Sequence, residues 1–496
     1  RARGEPLAFQ TKELRRRRSV QVSCVQLYFT DLGAVSRPLS IDGFAVNTAP
    51  GALDTAERAG LIDDMPFILM DDGSYDLDLN RFFRACPAMG ARSPNTWRSY
   101  ARDILVWARF LHERRGGKTV WQADRHDVLA FHRARRLSDA AYRISASSWN
   151  RCVAALDKLY RWAVEEEIIT TSPFGYGVAL RRASGRRAMV AVTTNRARER
   201  AARRHDTRYI DLGRYLLFRD VGLRGRLPDG SEDPAWRGRN GERNALFAEL
   251  LVTTGLRLTE AGSLLLTELP RLTEAGSRSA PFDLAGPIAK GGRPRRIPIP
   301  RRVLRMIADY IDFERTISAS RSEPALSDPL WLMPVDRKVR DDAGKRVRVD
   351  RLTPRERRRV LIGAPATAQH AVLWLTECGQ PVPPATWEAA FRRACVRCRR
   401  FGIEIDVTPH TLRHTFAGNM LSMLIREQIG SVFDPQDRHG AAYRRILCDP
   451  LQKLQHLLGH ASVTSTYIYL DSLAEAQELV EAAADRWAED TAGDAA

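Results

Sequence analysis

The clearest pattern of apolar and polar positions lies between residues 93 and 172, where apolar residues recur with helical spacing. Ser93 and Pro94 begin a predicted helix, Asp124 is suited to cap a second helix, and the serines between Ser145 and Ser148 offer caps for a third. The apolar positions of the first and third helices are Trp97, Tyr100, Ile104, Trp107, Ala108 and Leu111, then Trp149, Val153, Leu156, Tyr160 and Ala163. The pattern predicts a compact helical domain in which each helix buries one face.

The opposite face of the third predicted helix is polar and basic. It presents Asn150, Arg151 and Lys158. A polar helix face is usually a solvated surface, whereas in a strongly basic protein it can also contact the phosphates of DNA. Both interpretations remain open at this point.

An apolar helix is predicted over residues 244–254, and a charged junction follows it. Gly255 is a natural end for this helix, and Thr259 is expected to cap the next one. Arg257 and Glu260 therefore lie at a tight turn between two buried helices. A buried arginine needs an anionic partner, which is either Glu260 or a bound anion.

The pattern changes to strands between residues 281 and 300. Lys290 to Pro294 form a predicted hairpin turn, with Lys290 at its tip. The apolar strand positions are Leu284, Ile288, Ile297 and Ile299. An exposed turn lysine is the ordinary interpretation of Lys290 taken alone.

Two histidines and an arginine share one face of a predicted helix that begins at Pro409. His410, Arg413 and His414 stand at positions i, i+3 and i+4. Two histidines four residues apart also fit a zinc site. However, Thr411 occupies the position where a zinc hydrolase needs its glutamate base, and Arg413 would place a cation beside the metal. No metal is therefore expected.

The last predicted helix begins at Pro450 and ends at Gly459, which leaves His460 at its C-terminus. A short second helix then carries Tyr467 and Tyr469.

Composition narrows the class of protein. The chain has 496 residues, 44% hydrophobic and 28% charged, with a net charge of +18. These values are typical of a globular protein with two or three domains. No apolar stretch approaches the length of a membrane span, and seven scattered cysteines favour a reducing, cytoplasmic compartment. A chain with so large a positive charge is expected to bind a polyanion, and nucleic acid is the first candidate.

The basic residues are unevenly chosen: seven are lysine and 71 are arginine. An arginine at an expected position therefore carries little information, since about one residue in seven is arginine. A lysine, histidine or tyrosine at an expected position carries much more, which raises the weight of Lys290.

Charge is also unevenly distributed along the chain. Residues 181–208 contain ten arginines and two acids, a net +8, and are predicted to be a flexible basic linker that grips phosphates. The linker arginines expected to contact DNA are Arg181, Arg182, Arg186 and Arg187. Residues 471–496 carry a net −7, so the preceding 470 residues carry +25. The cluster Arg15–Arg18 is either a DNA-binding arm or a solvated charge run.

Two arginines, a lysine, two histidines and a tyrosine suit chemistry on a phosphodiester. Arginines neutralise the non-bridging oxygens, tyrosine supplies a nucleophile, histidine a base or hydrogen-bond donor, and lysine an acid for the departing oxygen. No cluster of carboxylates suited to Mg²⁺ is evident in the sequence. The chemistry is expected to need no metal and no cofactor.

Four segments, in this order, resemble the tyrosine recombinases, or phage-type integrases: TTGLRLTE, AKGGRPRRIPIP, HTLRHTF and LLGHASVTSTYIYL. The resemblance implies a catalytic set of Arg257, Lys290, His410, Arg413 and His460, with Tyr469 as nucleophile; Glu260 is expected to orient this set. It also implies a mainly α fold with a small β-sheet (α+β), in which a helical core-binding domain and a catalytic domain clamp DNA as a C.

The implied activity is site-specific recombination of double-stranded DNA. Tyr469 would form a 3′-phosphotyrosyl link and release a 5′-hydroxyl, without metal or ATP. Recombination joins two duplexes, so a homotetramer on DNA is expected, with the acidic helix 471–496 docking on a neighbouring protomer. The setting implied is the bacterial cytoplasm, associated with the nucleoid and with no membrane.

The predicted domain boundaries follow from these segments. Residues 1–90 form an N-terminal appendage of unknown role, 91–176 the core-binding domain, 177–208 the basic linker, 209–485 the catalytic domain and 486–496 an acidic tail. Insertions into the catalytic domain are expected near 322–372 and 424–448.

Arg257 and Tyr469 each have a rival in the sequence. RLTEAGS occurs at 257–263 and again at 271–277, and Arg257 is preferred to Arg271 because TTGL and a helix precede it. Tyr469 is preferred to Tyr467 because it lies nine residues after His460. Two other functions remain open: DNA relaxation of the type IB topoisomerase kind, and a catalytically silent DNA-binding protein of the same fold.

Overall fold

The computed structural model describes most of the chain from Val25 to Ser472. The described residues are 25–32, 39–41, 44–46, 51–70, 72–91, 93–182, 189–199, 209–270, 278–322, 326, 328–333, 335–432 and 449–472. The chain divides into two compact units, Arg1–Arg203 and Arg204–Ala496. Both the first unit and the second are mainly helical with small sheets, as the sequence predicted.

The first unit contains eleven regular elements among its described residues. They are β1 (Gln26–Phe29), β2 (Leu39–Ile41), β3 (Phe44–Val46), α1 (Ala52–Arg58), β4 (Pro66–Leu69), α2 (Leu77–Ala85), α3 (Pro94–Arg114), α4 (Arg125–Arg136), α5 (Ala146–Glu165), β5 (Tyr176–Arg182) and β6 (Met189–Asn195). Strand β1 pairs with β4, β2 with β3, and β5 with β6, all antiparallel.

The starts of the three long helices are where the sequence predicted them. Asp124 accepts hydrogen bonds from the backbone N–H groups at the start of α4, and Ser145 does the same for α5. Ser93 precedes α3, with Pro94 in its first turn. Trp107 of α3 donates to the Tyr160 hydroxyl of α5 over 2.7 Å, inside the shared core.

The segment before residue 90 packs into this same core, which differs from the separate appendage predicted. Ile68 of β4 and Phe82 of α2 are fully buried in the cluster formed by α3 and α5. Asn80 bonds the backbone of Ile68 in both directions, at 2.8 and 3.0 Å. The prediction missed this because alternating apolar residues in short strands are a weak signal beside long amphipathic helices. Arg15–Arg18 lie outside the described residues.

The basic stretch after residue 176 also differs from the flexible linker predicted. Strands β5 and β6 pair over seven residues each, and the chain that follows is fastened to the helices. Trp149 donates to the carbonyl of Ala197 at 2.7 Å, and Arg136 binds both carboxylate oxygens of Glu199. Paired strands satisfy their own backbone groups, so few apolar residues are needed to order such a segment.

The second unit begins with α6 (Leu212–Leu217), which continues as a π-helical turn at Phe218–Leu223. The elements that follow are α7 (Gly241–Thr254), α8 (Leu258–Gly262), β7 (Ser279–Leu284), β8 (Arg295–Pro300), α9 (Arg301–Tyr310), α10 (Thr316–Ala319), β9 (Leu330–Met333), β10 (Lys338–Arg340), β11 (Arg346–Arg348), α11 (Pro354–Arg357), β12 (Val360–Ile362), β13 (Gln369–His370), α12 (Pro384–Arg400), α13 (Pro409–Val432) and α14 (Pro450–Leu458). Residues 463–465 and 467–472 form 3₁₀ turns.

Helix α7 packs in the core of the second unit and is buried nearly all round. Phe247 stacks on Trp387 of α12 with ring centroids 3.7 Å apart, and Trp374 meets both rings edge-on. A helix buried on every side is held by packing rather than by one amphipathic stripe. Its C-terminal end is therefore a rigid place from which to present side chains.

The predicted hairpin after residue 279 is present: β7 and β8 are antiparallel from Ser279–Pro300 to Leu284–Arg295. Ile288 lies in a 3₁₀ turn of the connection rather than in a strand, and Lys290 lies in the next turn. The hairpin packs against α7 and α9 through Ile297 and Ile299, which are fully buried.

The predicted insertion at 322–372 contains a folded sheet. Its strand order is β11-β10-β9-β12-β13, with β9 and β12 parallel and the other pairs antiparallel. Arg357 is fully buried and fastens this sheet to the rest of the unit, because it binds both oxygens of Glu268 at 2.5 and 2.8 Å. Of the second predicted insertion, 424–448, residues 433–448 lie outside the described residues.

Among the described residues, none of the helices combines the length and apolar character needed to cross a bilayer.

Candidate active site

The end of α7 and the start of α8 form the junction predicted from the sequence. Gly255 ends α7 in the left-handed conformation, with φ of 65°, and a Cβ there would overlap the ring of Phe416. The residue before α8 is Arg257 rather than Thr259, so the predicted cap was wrong by two residues. Glu260 accepts the backbone N–H of Arg257 at 2.9 Å and its guanidinium at 2.9 Å.

Glu260 is fully buried and shared by two arginines. Its second partner is Arg295 of β8, which binds the carboxylate oxygens at 3.0 and 2.6 Å and donates to the carbonyl of Leu457 at 2.8 Å. Burial opposes ionisation of this carboxyl, but the hydrogen bonds and charges of Arg295 and Arg257 lower its pKa to about 2. Glu260 therefore orients Arg257 and joins it to the hairpin.

Arg413 of α13 is 2% exposed and ties together the ends of two other helices. One guanidinium nitrogen donates to the carbonyl of Gly255, after α7, and the other to the carbonyl of Leu458 in α14 at 2.6 Å. Burial, together with the charge of Arg257, lowers the pKa of Arg413 to about 9. Both of these partners are neutral, and within the described part of the chain no carboxylate forms an ion pair with Arg413.

A cavity of about 580 Å³ opens beside these groups. Arg257, Lys290, His410 and Arg413 all line it, together with residues of α12 and of the loop before α13. Burial and then the charges of Arg413, Arg257 and Lys290 lower the pKa of His410. The structure thus brings four of the predicted catalytic side chains to one cavity.

Tyr469 lies in the cluster formed by α13 and α14. Its hydroxyl is 2.9 Å from Nδ1 of His414, and its ring lies 6.3 Å from that of His460. Burial raises the pKa of Tyr469, although the charges of Arg413 and Arg257 act in the opposite direction. Tyr469 is 2% exposed, whereas the rival Tyr467 is 47% exposed.

The two histidines nearest Tyr469 are neutral at pH 7. His460 is 3.1 Å from the Thr466 hydroxyl through Nδ1, and His414 packs against His410 with ring centroids 4.2 Å apart. Burial, the neighbouring His410 and Arg413 lower the pKa of His414 to about 4; burial, Arg413 and Arg257 do the same for His460. Neutral imidazoles can exchange hydrogen bonds with a hydroxyl or a phosphate oxygen.

Three residues of this site were not assigned from the sequence: His414, Arg295 and Thr466. His414 was considered only as a zinc ligand, although its place in HTLRHTF was visible. Among the described residues, no three His, Cys, Asp or Glu side chains are grouped as a metal site. Arg295 gave no signal, because arginine is so common in this chain.

The residues predicted to contact DNA through α5 have partners inside their own unit. Asn150 exchanges two hydrogen bonds of 2.9 Å with the backbone of Glu199, and Lys158 donates to the carbonyl of Met89 at 2.8 Å. Arg151 binds both oxygens of Asp103 and keeps 58% of its side chain exposed. Of this face, Arg151 retains the most open surface.

Several residues singled out in the sequence lie outside the part of the chain that the structure describes. The side chains of Arg181 and Arg182, at the end of β5, lie outside the described part, as do Arg186 and Arg187 entirely. The rival Arg271 and most of the acidic segment 471–496 lie outside it too.

Comparison with known proteins gives matches along both units. Residues 79–167 match the family model "Phage integrase, N-terminal SAM-like domain", and residues 233–428 match "Phage integrase family". Tyrosine recombinase XerD of Mycobacterium leprae is 26% identical over 391 residues, which are 78% of this chain and 89% of that protein. Tyrosine recombinase XerC of Pelobacter propionicus is 24% identical over 77% of this chain and 88% of that protein.

Solved structures resemble the chain more loosely. The XerH site-specific recombinase bound to difH substrate has a TM-score of 0.44 at 15% identity, over 83% of this chain and 85% of that one. The Tn1549 transposon integrase in complex with circular intermediate DNA has a TM-score of 0.42 at 14% identity, over 78% and 93%. The order of the four sequence segments and the two family-model matches lead to one conclusion. The chain belongs to the tyrosine recombinase, or phage integrase, family.

Proposed function

We propose that this protein is a site-specific DNA recombinase in which Tyr469 attacks the scissile phosphate. The observation that carries the proposal is the position of the Tyr469 hydroxyl, 2.9 Å from a neutral histidine and close to the buried guanidinium of Arg413. The family membership makes the chain an enzyme that breaks and rejoins DNA strands. The role of each side chain in the reaction is our own assignment.

The charge of the pocket suits a phosphodiester. Arg257, Arg295 and Arg413 are largely buried, and Glu260 forms ion pairs with the first two. Glu388 of α12 and Asp406 of the following loop also line the cavity. Three guanidinium groups around one ion-paired carboxylate leave an excess of positive charge next to Glu260. A phosphate bound between Arg257 and Arg413 supplies the missing anion, and both guanidinium groups are better matched still to the more negative oxygens of a five-coordinate transition state.

The reaction balances without a further reactant. Tyr469 Oη passes its proton to Nδ1 of His414 and forms a bond to phosphorus, while the bond from phosphorus to the 5′ oxygen breaks. Lys290, which lines the cavity, supplies the proton that the departing 5′ oxygen takes up. A 5′-hydroxyl from another strand then attacks the phosphotyrosine and restores a phosphodiester, so the bond energy is retained.

The histidines serve as hydrogen-bond partners in this scheme. With Nδ1 of His414 unprotonated, the tyrosine hydroxyl donates to it, which directs the oxygen lone pairs toward phosphorus. His410 and His460 contact the non-bridging oxygens or assist proton transfer. Because their pKa values are lowered by burial, they remain neutral at pH 7 and add no further positive charge.

Assembly is the second part of the proposal. We infer that four protomers act on two duplexes in the bacterial cytoplasm, on nucleoid DNA. The acidic segment 471–496, with a net charge of −7, is our candidate for docking on a neighbouring protomer. It is a poor ligand for DNA, and it starts two residues after Tyr469, so docking and the position of the nucleophile would be linked.

The decisive experiment traps the covalent intermediate. Duplexes of random sequence that carry a nick would lose a short 5′-hydroxyl fragment after cleavage, and the protein–DNA adduct would accumulate. We expect adducts at a preferred sequence with the wild-type protein and with Tyr467→Phe, and none with Tyr469→Phe. Adducts that persist in Tyr469→Phe and disappear in Tyr467→Phe would overturn the choice of nucleophile. Relaxation of supercoiled plasmid without sequence preference would favour a topoisomerase instead.

A further inference from the structure

The insertion carries a hairpin in which positive charges face each other. Strands β10 and β11 are antiparallel, with Lys338 opposite Arg348 and Arg340 opposite Arg346. Directly opposed residues of an antiparallel pair share one face of the sheet, with Cβ atoms about 5 Å apart. Like charges in that arrangement destabilise a hairpin, which raises the question of what compensates the repulsion on this face.

The other face of the same hairpin holds it in place. Val339 is fully buried and stands opposite Val347, and both pack with Leu332 in the core of the insertion. Because side chains alternate along a strand, the basic residues point away from this core. Arg340 and Arg346 are exposed.

The acidic residues of the hairpin are engaged elsewhere. Asp341 accepts the backbone N–H of Lys345 at 2.8 Å, and Asp342 accepts the indole N–H of Trp331 at 3.2 Å. Asp350 binds Arg348 through both carboxylate oxygens. These interactions neutralise Arg348 but none of the other three strand cations, Lys338, Arg340 and Arg346.

In the part of the chain that the structure describes, Lys338, Arg340 and Arg346 form no ion pair with an acidic side chain. An exposed arginine alone would be weak evidence for a binding surface, because arginine is so common in this chain. However, Lys338 and Lys345 are two of only seven lysines in 496 residues. The charge of this surface is therefore not explained by the arginine-rich composition alone.

We propose that this basic hairpin, residues 338–348, binds the phosphate backbone of a DNA duplex, as a binding surface separate from the catalytic cavity. The inference rests on the proposed function only in taking DNA as the polyanion. Residues two apart in a strand are separated by about 7 Å, so the four strand cations form a compact patch that can follow successive phosphates. Binding of this kind adds affinity without reading sequence.

The test uses the full chain with the double substitution Lys338→Glu and Arg340→Glu. Each new carboxylate would stand opposite an arginine, so the hairpin is expected to become no less stable, while its net charge is reversed. We expect an unchanged or higher melting temperature and at least tenfold weaker binding to a long duplex. The slope of log K against log salt should become shallower by about 0.9 for each phosphate that the hairpin no longer neutralises.

A matched control places the same charge change elsewhere in the same unit. Arg305→Glu with Arg321→Glu alters two exposed arginines outside the hairpin, and it should leave most of the affinity intact. Equal weakening of binding in both double variants would reduce the effect to overall charge and overturn the proposal. Unchanged DNA affinity in the hairpin variant would also overturn it, and if self-association weakened at the same time, the occupant of this surface would be an acidic protein segment.

Covalent adduct formation separates this inference from the proposed function. At saturating protein, the hairpin variant should form the Tyr469 adduct on a nicked duplex to the same extent as wild type. If wild type forms no adduct but the hairpin variant still shows selectively weakened DNA binding, the proposed chemistry fails and the hairpin inference stands.

Discussion

Glu260 is the residue that holds Arg257 and Arg295 in place. It is the carboxylate partner of both Arg257 and Arg295, and it is fully inaccessible to solvent. Removing one partner from a buried charge cluster leaves uncompensated charge, which is more costly than removing an exposed pair.

Glu260→Gln keeps the shape of the side chain and removes its charge. We expect the free energy of unfolding to fall by about 3 kcal/mol at pH 7. Because the folded pKa is about 2, below the ordinary 4.5, this stabilisation is present above pH 4.5 and is lost as the pH falls toward 2. Urea titrations of both proteins at pH 7, 4 and 3 should therefore converge at low pH. A difference that stays constant over this range would contradict the assigned role.

His414 positions the nucleophile in our scheme. His414→Leu should slow adduct formation on a nicked duplex by about 100-fold, the usual scale for loss of one proton-transfer partner, while DNA affinity changes little. His414→Asn places an amide atom near the position of Nδ1 and should recover part of the rate. Equal rates in the two variants would mean that His414 only fills space.

At the scale of elements, the site is a meeting of helix ends. The end of α7, the start of α8, the first turn of α13 and the end of α14 converge, and Arg413 bonds two of them through backbone carbonyls. Gly255 permits this convergence, since its backbone is left-handed and its Cα lies against Phe416.

Gly255→Ala should therefore destabilise the protein by about 2 kcal/mol or more, from left-handed strain and overlap with Phe416. Gly418→Ala is a matched control: it lies in α13, and a Cβ there meets nothing within 4 Å. That variant should be stabilised by about 0.5–1 kcal/mol, the normal gain of alanine over glycine in a helix. Denaturant midpoints of the two variants should move in opposite directions.

At the scale of the whole molecule, charge is divided between a basic body and an acidic segment at 471–496. If that segment docks on a neighbour, neutralising it should affect assembly more than chemistry. Glu475→Gln, Glu478→Gln and Glu481→Gln together should reduce complexes that join two duplexes, measured on native gels. Adduct formation on one nicked duplex should persist. Intact two-duplex complexes would count against docking by this segment.

The local features of this protein could be predicted from short stretches of its sequence. Helix starts at Ser93, Asp124 and Ser145, the helix ends at Gly255 and Gly459, and the β7–β8 hairpin were all predicted. These features depend on interactions within a few residues, such as capping hydrogen bonds and apolar periodicity, and such interactions are readable in a short window of sequence.

Contacts between side chains that are distant in sequence depend instead on how the separate segments pack together. His414 and Tyr469 are 55 residues apart, and Glu260 and Arg295 are 35 apart. The same holds for the N-terminal strands that share the helical core and for the sheet built from the insertion. No local sequence pattern predicts these contacts, because they form only when separate segments pack together. A buried charge is stable only if packing places a hydrogen-bonding or oppositely charged group next to it.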